Sequence, residues 1–449
     1  MTANRWQRST MDDRELRLWR VGRALTVAFV AAVLVAGSIF YGLVAVLGFK
    51  EIDSAAKLDA KTLFDLVKLS FGVVAGAGAL VALVVAYRRQ RVDETGSHRE
   101  ATRLHTERFS QAVDKLGSDS PAVRLGGVHA LAGLADDAPD DSLRQTCIDV
   151  LCAYLQLPFI PDPGEDPAHQ EEHHRYLAFR KVRHTILRLI GDHYRRPRGT
   201  HRSWQGCDLD LTGVTVDGYM DFSGTVFSGG RVSFRDAVFS GGRVFFDGAV
   251  FSGGTVHFGT AVFSGGAVSF SGAVFSGGLV PFGGTVFSGG TVSFRDAAFS
   301  GGSVYFDGAA FSGGSVNFDG AAFSGGTVNF GGAAFSGGAV SFSRAVFSLG
   351  VAFFGGAAFS GGAVTFSRAT FSGGMLSFGD AIFSGGAVSF RDARFSGGGV
   401  DFSEVQLSGS GGMDFAGATG PTPNGLLAAA GTPIPVTVTL PSSWLRAVP

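Results

Sequence analysis

From Val226 onward the apolar positions of this chain follow one rule. Phenylalanine returns every twelve residues in two interleaved series, Phe227, Phe239, Phe251 and on to Phe395, and Phe234, Phe246, Phe258 and on to Phe402. The step between the series alternates seven and five, Phe227 to Phe234 and then Phe234 to Phe239. A fixed period of this kind is the signature of stacked identical units. Flexible low-complexity sequence has no reason to hold such a register. A helix of 3.6 residues per turn cannot carry steps of five and seven with a glycine pair in every unit.

Each unit holds two β-like steps, Val-x-Phe and Ala-x-Phe. Residues i and i+2 of a strand share a face, so Val232 with Phe234, and Ala237 with Phe239, point the same way. Burying each ring contributes roughly 1.5–3 kcal/mol, so that way is inward. The Ser-Gly-Gly of each unit is expected to turn a corner, glycine supplying backbone angles that other residues avoid. A unit could be one flattened coil of twelve residues or half of a coil of 24. The larger, four-sided coil is favoured, because two Phe and two small residues would leave a thin core. The fifteen or so units then make seven to eight coils, roughly 35 Å at about 4.8 Å per rung.

A small residue two places before a bulky apolar one, in rows five apart, resembles the pentapeptide-repeat proteins. The lead-in from Cys207, with Leu209, Leu211 and Val216, keeps the step of five and looks like the first rungs. The resemblance covers close to half the chain and implies a right-handed, four-sided β-helix. The departure is the alternating seven, which adds two residues at every second corner. Some members of that family imitate DNA and bind topoisomerases, which needs an acidic face. Here Arg231, Arg235, Arg295 and Arg344 balance Asp236, Asp247, Asp296 and Asp319, so no such mimicry is expected.

The outward residue of each Val-x-Phe step is mostly small and polar, as at Ser233, Ser269, Asn317 and Asn329. The outward residue of each Ala-x-Phe step is apolar: Val238, Val250, Val262, Val274, Val286, Ala298, Ala310 and Ala322. With coils of 24 these form two opposite apolar stripes. Contiguous apolar surface marks interaction sites, so one stripe is the expected docking face for a partner, the helical domain or a second copy. After Phe402 the register breaks, and Pro435 to Trp444 reads as a cap on the last coil, closing an edge that would invite aggregation.

The first half of the chain has a different period. Residues 24–49 carry no charge and exceed the roughly 20 residues that a helix needs to cross a bilayer. Residues 69–87 are a second uncharged run, with Gly72, Gly76 and Gly78 to allow close helix approach. Arg14, Arg17, Arg20 and Arg23 precede the first, and Arg88, Arg89 and Arg91 follow the second. The positive-inside rule then places both termini in the cytoplasm of a multi-pass plasma-membrane protein, with residues 50–68 outside. Met11 also fits as a start.

Residues 88–196 read as a small all-α domain. Phe109, Val113 and Leu116 share one helix face and Gly117 stops that helix. Ser120-Pro121 opens a second, with proline in the first turn and Val123, Val128, Leu131 and Leu134 as its buried stripe. A third runs from about Asp141 to Leu155, with Cys147, Val150, Leu151 and Tyr154 on one side. The stretch SPAVRLGGVHALAGLA resembles one helical repeat of the HEAT type, and a lone repeat must pack on something else to bury its face. A His-rich fourth helix is expected from about Ala168 to Tyr194.

One motif could carry chemistry. His169-Gln170-Glu171-Glu172-His173 reads H-x-x-E-H, the inverted zinc-protease pattern. Two histidines four apart on a helix share a face and could hold zinc, with Glu172 as base. Such a site needs a further ligand downstream, where the repeats supply almost no converging acids. His174 widens the set for metal binding in general. The chain has no GxxxxGK[ST], GxSxG or CxxC.

Composition adds little to this picture. Of 449 residues 68 are Gly and 42 are Phe, while charged residues make up 17% and the net charge is -1. That balance implies no nucleic-acid partner. Three cysteines, Cys147, Cys152 and Cys207, are too few for a disulfide framework. The expected architecture is therefore mixed: a basic segment over 1–23, a transmembrane α-hairpin over 24–49 and 69–87, the helical domain over 88–196, a β-solenoid over 203–418 and a Pro-rich tail over 419–449. The expected role is a membrane-anchored cytosolic scaffold without cofactor or catalytic activity. The alternative is a zinc-dependent hydrolase at His169, Glu172 and His173.

Overall fold

The computed structural model describes residues 60–159 and 162–445, with residues 26–27, 29–31, 33–34 and 37–38. The first uncharged run therefore lies largely outside the described residues. The second is the early part of one long helix, α1, Ala60–Leu116. The helix starts before Leu69, where a loop was expected, and continues without a break past Arg88. Lys61, Asp65 and Lys68 are polar but do not break helices. Among the described residues no helix is long and apolar enough to cross a membrane. Phe64, Leu69, Leu80, Leu83, Val85 and Tyr87 nevertheless stand exposed on α1.

Residues 104–449 form a compact unit of their own. Helix α2, Pro121–Asp136, starts at the Ser120 cap with Pro121 in its first turn. Helix α3, Asp141–Gln156, is capped by Asp140, whose carboxylate accepts from the Leu143 amide. A 3₁₀ turn, Pro167–His169, precedes helix α4, Gln170–Tyr194. Val128, Leu131, Ile148, Leu151, Val182, Ile186 and Ile190 meet in the helical core. Val123, expected in that core, is instead exposed at the front of α2. Gly127 allows α2 to pass close to the last turn of α1, since a Cβ there would lie 2.6 Å from the Leu116 nitrogen.

From Leu209 the chain winds as a right-handed parallel β-solenoid. Val238 pairs with Val262, Phe263 with Phe287 and Val292 with Val316, so one coil takes 24 residues. A coil has four sides. Two of them form sheets of 9 and 10 strands, and the other two share a 15-stranded sheet. The strand Thr370–Ser377 runs through a Ser-Gly-Gly corner and joins those two sides. The rod is longer than the seven to eight coils expected from the regular units. Rungs beginning at Leu209 and ending at Val438 extend the stack at both ends. Ten strands on one side span about 43 Å at ~4.8 Å per rung.

Four ladders of phenylalanine fill the interior. Within a ladder the rings lie face to face: Phe294, Phe318 and Phe342 follow one another at 4.7 Å, with planes within 4°. Between ladders they meet edge to face, as Phe306 and Phe318 do at 6.1 Å and 86°. Both offset-stacked and edge-to-face pairs suit the ring quadrupole. Val232, Ala237, Val244 and Ala249 fill the same core, buried beside the rings.

The corners are of two kinds. The tight one, Phe-x-x-Ala, closes with a hydrogen bond from the Ala amide to the Phe carbonyl, as from Ala237 to Phe234 at 3.1 Å. Its third residue is left-handed in every coil, glycine at Gly248 and Gly272 but Asp236, Asp296 and Arg344 elsewhere. The Ser-Gly-Gly corner meets the expected need in some coils, with left-handed Gly230, Gly254, Gly266, Gly290 and Gly398, but not in all. Several of its glycines, such as Gly301, Gly302, Gly325 and Gly326, have no left-handed φ. What the corner requires is room. A Cβ on Gly326 would meet the Gly302 carbonyl oxygen at 2.5 Å, and one on Gly277 would meet the Ser252 oxygen at 2.7 Å.

Both ends of the stack are covered. At the first rung α3 supplies amide side chains where a further strand would sit. Gln145 donates to the Asp208 carbonyl at 2.8 Å and accepts from the Asp208 amide at 2.9 Å, and Gln156 donates to the Asp210 carbonyl at 3.0 Å. Helix α4 lies on the next side, where Tyr194 meets the rings of Phe222 and Phe227 at 5.9 Å each. At the far end Val438–Thr439 pairs with Met413–Asp414. Trp444 packs on Phe395 and Phe415 and donates to the Gly420 carbonyl at 2.8 Å.

Candidate interaction surface

The rod offers its sides, since its ends are occupied. The register separates the apolar outward positions into two rows on opposite sides. Val238, Val262, Val286 and Ala310 lie in one and Val250, Val274, Ala298 and Ala322 in the other. All eight are half-buried, because neighbouring coils are one rung apart and cover much of each small side chain. The rows are flat and shallow.

The polar sides are structural. Their outward side chains accept hydrogen bonds from the amides of the adjacent tight corner, as Asn317 does from Asp319 at 2.7 Å and Asn329 from Gly331 at 2.8 Å. Short Asn, Ser and Asp side chains favour this local bond to the backbone two residues on. They also link coils: Asp319 accepts from the Ser343 amide at 3.0 Å and from the Ser341 hydroxyl. Charges on the rod pair in places, as Arg391 does with Asp414 at 2.8 Å.

One stretch departs from the repeat. Leu349 replaces the first glycine of a corner and is 74% exposed. Phe353 stands outside between Asn329 and Ser377 of the adjacent coils, 40% exposed, and Met375 pairs beside Val351 on the next rung, 50% exposed. Val346 precedes the same corner and is also exposed. These side chains make an apolar relief on a surface built mostly of small residues. Reading the repeat by its consensus passed over them. The signal was the substitution itself, SLGVAFF in place of SGGxVxF.

The H-x-x-E-H segment is not assembled as a metal site. His169 ends the 3₁₀ turn ahead of α4, so the two histidines do not share an unbroken helix. His173 Nδ1 is bound to Asp162 Oδ1 at 2.7 Å. Among the described residues no group of three or more His, Cys, Asp or Glu is placed to hold a metal ion. Burial pushes the Cys147 thiol up to about 11 and the Cys152 thiol up to about 12, away from the reactive thiolate form.

The charged cluster that joins the helices to the rod centres on Asp217. Its carboxylate takes Arg180 Nε at 2.6 Å and His184 Nε2 at 2.8 Å. Burial alone would raise its pKa, but the hydrogen bonds from His184 and Arg180 prevail and bring it down to about 2. A second knot holds the end of α4, where Asp136 accepts from Trp204 Nε1 at 3.1 Å and lies 3.3 Å from His193 Nε2. The His193 ring stacks on Trp204 at 4.2 Å.

A cavity of about 540 Å³ opens between α2, the end of α3 and α4. Arg124, Arg175 and Arg183 line it, with Phe159, Tyr176 and Phe179. No part of this arrangement was anticipated, because its arginines are 51 and 8 residues apart in sequence and only the packing of three helices brings them together.

No protein-family model matches the chain, and neither a curated protein nor a solved structure matches it.

Proposed function

We propose that the chain is a membrane-tethered scaffold whose β-solenoid is a protein-interaction rod. The observation that carries the interaction part is the apolar relief at Leu349, Phe353 and Met375 on a rod whose two ends are already covered. Exposed clusters of large apolar side chains mark sites of association, and the flat rows of Val238 and Val250 extend the available face. The tether is supported by the two uncharged runs, 24–49 and 69–87, and by the apolar side chains exposed on α1. The step of five and the four-sided coil support a kinship with the pentapeptide-repeat proteins, and the extra Gly-Gly corners would make this a variant of that design.

Two measurements test the proposal. Full-length protein should stay with membranes through alkaline carbonate extraction, and a version lacking residues 1–88 should be released; release of both removes the tether. A photo-crosslinking side chain at position 349 should trap a discrete adduct in intact cells, while the same group at Ser269 on a polar side should not. Equal labelling at both positions, or none at 349, removes the interaction site.

A further inference from the structure

The geometry points to a binding site for a small organic anion in the cavity between α2, α3 and α4. The ligand class is a molecule with one oxyanion head, phosphate or carboxylate, and an apolar or aromatic body.

The argument starts from Arg183. Only 6% of this residue is exposed, and among the described residues its guanidinium has neither a hydrogen bond nor an ion pair. A charge largely withdrawn from water is costly unless it is paired, and the nitrogens of Arg183 are not sealed in the protein but keep access to solvent. Burial lowers its pKa, opposed by the field of Asp217. That carboxylate is already engaged by Arg180 and His184, so it does not serve as a direct partner. The contact Arg183 does make is with the face of Phe159, 4.8 Å from the ring centroid.

Arg124 and Arg175 repeat this arrangement. Their guanidinium carbons lie 4.7 and 5.7 Å from the centroid of Phe179. Arg124 is also anchored by bonds to the Ser118 carbonyl and to the Tyr154 hydroxyl, the latter at 3.1 Å. Arg175 has no hydrogen bond or ion pair among the described residues. Stacking on a ring uses the flat face of a guanidinium and leaves its N–H edge available. Three such groups line one hollow against a single carboxylate, Glu172, so the lining is cationic by two charges.

An oxyanion matches what these edges lack. Arginine recognises carboxylate and phosphate by paired N–H bonds, and charge-assisted bonds of this kind are about twice as strong as neutral ones. The rest of the hollow is apolar, with Leu157, Pro158 and Pro163 in its wall. Its volume of about 540 Å³ falls within the range typical of small-molecule sites. The same residues exclude a bare inorganic ion as the best occupant, because it would leave the apolar wall uncovered.

The test uses the purified full-length chain in a neutral detergent, titrated calorimetrically with phenyl phosphate, phenylacetate and inorganic phosphate. At least one of the two aromatic anions should bind more tightly than inorganic phosphate, and the tighter of the two identifies the head group. Binding should weaken as salt is added. Arg183→Met should weaken it by about tenfold or more. Arg175→Ala, an exposed residue outside the helical core, should fold normally and weaken it to a similar degree. Arg231→Ala, on the solenoid, should leave it unchanged. Absence of binding by all three probes overturns the proposal. So does binding that Arg175→Ala leaves unchanged, or binding that Arg231→Ala weakens equally.

Discussion

A Cβ on Gly326 would stand 2.5 Å from the carbonyl oxygen of Gly302, one coil below. The second glycine of the corner is therefore a spacing requirement of the stack. It is glycine at every Ser-Gly-Gly corner, whereas Leu349 occupies the first position of one and turns out to solvent. Gly326→Ala should destabilise the protein by about 1–3 kcal/mol through overpacking, read as a lower urea midpoint. An unchanged midpoint would mean that the coils can part at no cost.

Phe318 sits between Phe294 and Phe342 at 4.7 Å on either side. Phe318→Ala removes a ring from a fully buried ladder and should cost about 3–5 kcal/mol. Stability in a solenoid is a sum of neighbour interfaces. Hydrogen exchange should therefore rise first in the rungs flanking Phe318, with the helical domain still protected. Uniform loss of protection across the chain would contradict this.

Thr225 and Thr285 take the inward position that alanine holds in most units, and both are fully buried. Thr285 donates to the Phe258 carbonyl at 2.9 Å, while the Thr225 hydroxyl is the one buried side-chain oxygen or nitrogen without a partner among the described residues. An unsatisfied buried hydroxyl costs about 1–3 kcal/mol. Thr225→Val should raise Tm and Thr285→Val should lower it. Calorimetry giving the same sign for both would refute the distinction.

Asp217 couples stability to pH. Its folded pKa of about 2 lies below the ordinary value of 3.8. A depressed carboxylate stabilises the folded state above its unfolded pKa and loses that contribution as pH falls through the folded one. The contribution is on the order of 2 kcal/mol, present at pH 5 and declining between about pH 4 and pH 2. Denaturant midpoints measured across this window should fall for the wild type. They should fall less steeply for Asp217→Asn, which begins less stable.

Trp444 closes the far end of the core against Phe395 and Phe415. Trp444→Ala should uncover those rings and loosen the final strand, leaving an edge open to another chain. Light scattering should then report concentration-dependent oligomers at temperatures where the wild type stays monodisperse. A variant with wild-type size and Tm would show that Val438–Thr439 caps the stack without it.

The local pattern was sufficient for the solenoid because its order is one-dimensional. Steps of five and seven between Phe227, Phe234 and Phe239 specify which side chains face inward, and the twelve-residue period specifies that every unit does so alike. Stacking repeats that information and adds none. Pattern also placed the start of α2 at Ser120-Pro121, since a cap is a local event. It did not locate the start of α1, because nothing between Ala60 and Leu69 breaks a helix. It explained the corner glycines only in part, since Gly230, Gly254 and Gly266 are left-handed but Gly302 and Gly326 are not. A close approach between Gly326 and Gly302 depends on two coils in contact, and a conformational preference describes only one.

What the tertiary structure alone decided lies where distant segments converge. The H-x-x-E-H spacing describes a ligand pair only on one continuous helix, and the turn at Pro167–His169 removes that condition. Gln145 meets Asp208, and Arg183 meets Phe159, through packing that no short period encodes. The sequence by itself determined the rod: its inward faces and its repeat. Only folding in three dimensions decided that α3 and α4 cover the first rung and that three arginines share one cavity. The physical reason is that burial along a strand is read from neighbours in sequence, whereas a site is made by residues that become neighbours only in space.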